Sequence, residues 1–172
     1  MLLGRTIDVP MRGPAYISFV ITDETDCHGA HPNESTMAIV YDLRSGMPVD
    51  WTQLLPASLT GTLALQEGAD GTKMITLASQ PLLELYLAEY GAGQGPKNDP
   101  DCEQTVKDYV SRDAPPEMMA WLEAKAGGLA VQFDVPHVMQ ACAVPVVIPL
   151  ATLRAEGAQP ALVDAIQKAG QP

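Results

Sequence analysis

Apolar, β-branched and aromatic positions alternate with polar ones over Ala15-Tyr16-Ile17-Ser18-Phe19-Val20-Ile21-Thr22, which predicts a β-strand. Thr36 to Leu43 repeats the pattern and predicts a second strand. The stretch between them, 23–34, is polar, contains Gly29 and Pro32, and reads as a loop. Ser45-Gly46 then makes a short turn into a third, brief strand over 47–51. Neighbours joined this closely must be antiparallel, since a parallel crossover takes about a dozen residues or more.

The pattern becomes helical in the middle of the chain. Ser79 can cap a helix with Pro81 in its first turn, apolar Leu82, Leu83, Leu85, Tyr86, Leu87 and Tyr90 along it, and Gly91 as its stop. Residues 91–100 read as a Gly/Pro/Asn linker, and 101–112 as a second helix with Val106, Tyr109 and Val110 on one side. Strands return at 118–122 and 129–133, with Gly127-Gly128 supplying the positive φ that a hairpin needs. The apolar run 144–149 is extended but carries two prolines, which confine it to a sheet edge or strand end. A last helix covers 159–168. Strands at both ends with helices inserted between them predict an α+β fold with a mostly antiparallel sheet.

At 172 residues and 47% hydrophobic content the chain suits one domain, or at most two small ones, and is long enough to bury a core without metal or disulfide staples. Ten lysines and arginines against 21 aspartates and glutamates leave a net charge of −11. That balance disfavours nucleic acid and anionic lipid and favours a cationic partner. No apolar run approaches the roughly 18 residues of a membrane span, and the start, Met1-Leu2-Leu3-Gly4-Arg5, is not a signal peptide. The chain is then either cytoplasmic or a piece of a longer exported precursor.

The densest chemistry lies in Cys27-His28-Gly29-Ala30-His31-Pro32-Asn33, which holds two of the three histidines and one of the three cysteines. His137 and Cys142 form a looser pair downstream. A tetrahedral zinc site could be assembled from Cys27, His31, His137 and Cys142, although the spacing is not that of a zinc finger. The plainer alternatives are a disulfide or a buried thiol, with His31 bonded to its own loop. Asp23-Glu24-Thr25-Asp26 just upstream is a solvated acidic run or a contact for calcium or a cationic partner. No nucleophile elbow, P-loop or dinucleotide fingerprint occurs, and Gly91-Ala92-Gly93-Gln94-Gly95-Pro96 lacks the lysine and the preceding strand of a phosphate loop.

Gly29-Ala30-His31-Pro32-Asn33, then Tyr41-Asp42-Leu43-Arg44-Ser45-Gly46, then Val49-Asp50-Trp51-Thr52-Gln53-Leu54-Leu55 together resemble the extracytoplasmic domain DUF3298. Gly127-Gly128-Leu129-Ala130-Val131-Gln132-Phe133 and Val146-Val147-Ile148-Pro149-Leu150-Ala151-Thr152-Leu153 resemble its later strands, so the likeness spans about residues 13–155. His28 stands where the family has a first glycine, Ser45 replaces its threonine, and 137–142 replaces a tyrosine- and glycine-rich run.

The family sits at the C-terminus of lysozyme-sensing anti-sigma factors of the RsiV type and beside peptidoglycan-deacetylase modules. The resemblance implies a single domain over 1–172, forming the C-terminal part of an exported, periplasmic or otherwise extracytoplasmic protein. It implies a non-catalytic sensing or binding role, without cofactor or metal, toward an unidentified protein or cell-wall ligand, cationic lysozyme being one example. Asp26, His28, His31 and Asn33 are the expected binding residues, while Gly29, Ala30, Pro32, Asp42, Gly46 and Trp51 form the structural motif. An oxidising compartment would bridge two of the three cysteines. Cys27 and Cys102 are the expected pair, because both lie in polar segments with aspartate neighbours whereas Cys142 is flanked by alanines. The alternative from another class is a metal-dependent cell-wall hydrolase using His28, His31 and His137.

Overall fold

The computed structural model describes residues 2–26, 33–68, 70–111 and 114–171. Among these residues, two antiparallel sheets and five α-helices make an α+β fold. The first sheet has the order β1 (Leu2–Arg12), β2 (Tyr16–Thr25), β3 (Asn33–Asp42), with β2 central. The β2–β3 register runs without interruption from Tyr16↔Asp42 to Thr25↔Asn33. The short strand expected over 47–51 is instead a single bridge, Tyr41↔Pro48, followed by a 3-10 turn at Trp51–Gln53. Pro48 has no N–H to extend a ladder, and Asp50 Oδ1 accepts the Thr52 N–H at 3.0 Å, which starts the turn instead.

A short α1 (Ala57–Thr60) leads into the second sheet, ordered β4 (Thr62–Glu67), β5 (Lys73–Ala78), β6 (Met118–Glu123), β7 (Gly128–Phe133), β8 (Val146–Pro149). Between β5 and β6 the chain forms α2 (Gln80–Glu89) and α3 (Cys102–Val110), and after β8 it forms α4 (Leu150–Ala155) and α5 (Pro160–Ala169). Ser79 caps α2 as its sequence predicts, its hydroxyl accepting the Leu82 N–H at 3.1 Å. Gly91 does not stop the helix. The backbone continues through a π-type turn, Tyr90–Gln94, and breaks at Gly93 with φ 112°. Gln94 then hydrogen-bonds to β8, so this segment is anchored rather than a free linker.

The β6–β7 hairpin lies at the heart of the core. Every residue from Met118 to Leu122 and from Gly128 to Val131 is buried, so both of its faces are covered. Gly127 turns the hairpin at φ 69°, and a Cβ on Gly128 would lie 2.2 Å from the Ile148 carbonyl oxygen. Tyr86 of α2 meets Phe133 edge-on, with ring centroids 5.0 Å apart. β5 pairs with β6 only at Leu77↔Met118. Beyond that bridge the edge of β6 turns toward the first sheet: the Leu122 N–H donates to buried Ser18 Oγ (3.1 Å), and the Ala124 N–H to the Pro10 carbonyl (3.2 Å). Among the described residues no helix is long and apolar enough to cross a membrane.

Candidate functional site

The divergence of β5 from β6 leaves a cleft between the start of β3 and the second sheet. Ser35, Thr36 and Met37 form one wall, and Gln66, Glu67 and Thr76 of β4 and β5 form another. Glu117 and Asp134, which flank β6 and β7, close it together with Tyr109 of α3. The cavity holds about 510 Å³, and Met37, Met74 and Met119 give it an apolar lining. A smaller adjoining cavity of about 250 Å³ shares Ser35, Thr36 and Asp134 and reaches Asn33, Glu34 and Gln140. Glu24, Asn33, Glu34 and Gln140 surround a further space of about 310 Å³.

Five carboxylates line these spaces, Glu24, Glu34, Glu67, Glu117 and Asp134, and among the described residues no lysine or arginine lines them. Glu117 Oε2 accepts from Gln66 Nε2 and from Thr76 Oγ1, the latter at 3.2 Å. Asp134 keeps more than a third of its surface exposed, yet the surrounding protein desolvates its carboxyl and raises the pKa. Among the described residues the Asp134 carboxylate has no hydrogen bond or ion pair. Methionines beneath carboxylates suit a cationic side chain: the aliphatic stem lies on thioethers while the charged head meets Glu117 and Asp134.

The rim is held by Gln140, whose Nε2 donates to the Glu34 carbonyl at 2.6 Å. Gln140 belongs to the 3-10 segment His137–Cys142, and Cys142 is disulfide-bonded to Cys102 of α3. This corrects the expected Cys27–Cys102 bridge. Polar neighbours did not identify the partner of Cys102, because the disulfide is buried where α3 packs on the 3-10 segment, with both cysteines in the core. Tyr90 Oη secures the same segment by donating to the Cys142 carbonyl at 3.0 Å. With its thiol in a disulfide, Cys142 cannot serve in the zinc site assembled from Cys27, His31, His137 and Cys142. Asp99, Cys102 and Cys142 are brought together, but two of their three ligand atoms are the bonded sulfurs.

Of the residues expected from the sequence, Cys27, His28, Gly29, Ala30, His31 and Pro32 lie outside the described residues. Asn33 opens β3 on the cleft, paired with Thr25, and Asp26 follows β2 on the other side of the same hairpin. His137 is on the 3-10 segment, its Nδ1 3.0 Å from Gln140 Oε1. Asp42 ends β3 and accepts the Arg44 N–H (2.7 Å) and the Ser45 N–H (3.3 Å) at Oδ1. Gly46 completes that turn at φ 70°, and Trp51 is buried in the core. Glu117 and Asp134 were not singled out from the sequence. Each is a lone carboxylate just outside a strand, with no motif around it.

No family model and no curated protein matches the sequence. Among solved structures the chain is similar to a DUF3298 family protein from Pseudomonas aeruginosa, with a TM-score of 0.55 and 13% identity. The match covers 92% of this chain and 62% of that one, so the chain spans less than two thirds of its neighbour's length. At that identity the likeness bears on architecture and not on a ligand. The strand and turn motifs that resemble DUF3298 in the sequence thus occur in a structure whose neighbour bears the same family name: the chain has a DUF3298-like fold.

Proposed function

We propose that this chain is a non-catalytic, extracytoplasmic binding domain whose acid-lined cleft takes a cationic segment of a protein or cell-wall-associated partner. The observation that supports this reading is the set of cleft carboxylates, with Glu117 and Asp134 beside a methionine floor and no lysine or arginine among the described lining residues. The net charge of −11 adds long-range attraction for such a partner. The buried Cys102–Cys142 disulfide is in keeping with an oxidising compartment. Lysozyme enters as a cationic probe that the family resemblance suggests.

The test is calorimetric titration of the chain with lysozyme and with a short lysine-rich peptide at low and moderate salt. Glu117→Gln combined with Asp134→Asn is compared with a control of equal charge change on α3, Glu103→Gln combined with Asp108→Asn. Cleft-specific recognition weakens about tenfold in the first variant and little in the second, as expected for losing close charge pairs. Equal weakening in both would reduce the effect to net charge, and no binding of either probe would remove the reading.

A further inference from the structure

A separate cavity of about 440 Å³ lies between the turn after β1, the turn after β3 and the first turn of α5, and shares no lining residue with the cleft. Its apolar wall is Pro14, Ala15 and Leu43, and Tyr16, Asp42, Arg44 and Ala161 complete its lining. Three donors of these lining residues have no acceptor among the described residues.

The first is the Ala161 N–H. α5 has no side-chain cap at Gln159, and Pro160 has no N–H. The Leu162 and Val163 amides both return to the Gln159 carbonyl, which leaves the Ala161 amide as the open donor of the first turn. The second is the Tyr16 hydroxyl. Tyr16 is only 9% exposed, yet its Oη makes no hydrogen bond among the described residues. Every solvent-shielded side-chain N or O among the described residues has a partner, so the Tyr16 hydroxyl retains some surface, and Tyr16 is one of the residues that line the cavity. The third is the exposed Arg44 guanidinium, which forms no ion pair among the described residues.

Burial, and then the Asp42 charge, raise the Tyr16 pKa against a smaller opposite effect of Arg44, so the phenol is a protonated donor at neutral pH. Asp42 also limits the ligand. Its Oδ1 is held by the Arg44 and Ser45 amides, but its charge stays in the cavity and disfavours an anion of more than one charge. Pro14, Ala15 and Leu43 add apolar surface beside the donors, which a bare inorganic ion would leave unused.

We propose that this cavity binds a singly charged carboxylate attached to an apolar group, the chemistry of a peptide C-terminus ending in an aliphatic residue, with the Ala161 N–H, the Tyr16 hydroxyl and the Arg44 guanidinium as its three donors. The probe is N-acetyl-leucine, titrated into the whole ¹⁵N-labelled chain at millimolar concentrations and followed by backbone amide shifts. Saturable shifts at Leu43, Arg44 and Ala161 are expected, with N-acetyl-leucinamide about tenfold weaker or silent because it lacks the charge. Tyr16→Phe and Arg44→Gln should each weaken binding about fivefold or more. Arg44 is exposed, so its variant keeps the fold and carries the test alone if the Tyr16 variant does not. The proposal is overturned if those amides do not shift saturably, if the amide analogue binds as well as the acid, if inorganic phosphate binds as tightly, or if Arg44→Gln keeps wild-type affinity.

Discussion

The side-chain amide of Gln94 forms two hydrogen bonds to the backbone of Val147. Nε2 donates to the Val147 carbonyl and Oε1 accepts the Val147 N–H, both at 2.8 Å. The amide thus occupies the place of a neighbouring strand on the outer edge of β8, the last strand of the five-stranded sheet. An edge left open would template pairing with another chain. Gln94→Ala should cost about 1 kcal/mol in chemical denaturation, the net value of such bonds at an exposed site. It should also raise self-association in sedimentation velocity. Unchanged association would mean that Pro145 and Pro149 suffice to guard this edge.

The Cys102–Cys142 bond closes a loop of 40 residues in sequence separation. In the chain-entropy picture a crosslink of that span stabilises by about 3–4 kcal/mol. Replacing both cysteines by alanine should lower the urea midpoint accordingly. Peptide mapping of the unreduced chain should find residues 102 and 142 linked and Cys27 outside the bridge. A 27–102 peptide in the folded chain would contradict this connectivity.

Ser18 is a buried polar link between the two sheets, accepting the Leu122 N–H at 3.1 Å. Ser18→Ala leaves that amide without its acceptor and should cost about 1–3 kcal/mol, well above an average surface change. Amide exchange at Leu122 should accelerate by more than at its β7 partner Leu129. Equal acceleration of the two would show that the whole hairpin, and not this link, had loosened.

Arg5 joins β1 to Asp23 of β2 and to Asp70 in the β4–β5 turn, with contacts of 2.6–2.7 Å. Hydrogen bonds from Thr72 and then Arg5 hold the Asp70 carboxyl below its usual range, and Arg5 lowers that of Asp23. A depressed folded-state pKa contributes stability that is complete above the unfolded value of about 4 and fades as pH falls below it. Arg5→Gln should therefore lower the urea midpoint at neutral pH, and the two proteins should converge in strong acid. These groups are exposed, so the gap should narrow with added salt. A gap independent of pH would assign the loss to packing of the Arg5 stem.

Elements with a strong period and a local start signal were legible: α2 behind Ser79, the hairpin at Gly127-Gly128, and the two strands of the first sheet that flank the histidine loop. β1 was not, because Gly4 and Pro10 interrupt its alternation. As an edge strand it tolerates both, and its pairing with β2 shifts register between Asp8 and Met11, around Pro10. β4 is likewise an edge strand whose residues are mostly exposed, so no buried face imposed a pattern on it. Among the described residues the cleft was legible only at Asn33. Glu117 and Asp134 reach it because β5 and β6 separate after one bridge, a tertiary event with no local signature.

The connectivity of the disulfide also bears on how the chain acquires it. A polypeptide entering an oxidising compartment N-terminus first presents Cys27 and Cys102 before Cys142. An oxidant acting on the emerging chain can join only the first two, which is not the bridge of the folded protein. Recovery then requires the Cys142 thiolate, arriving last, to attack that bond at Cys102 and release Cys27. Correct maturation by this route depends on disulfide isomerisation as well as oxidation, with the Cys27 thiolate as the leaving group.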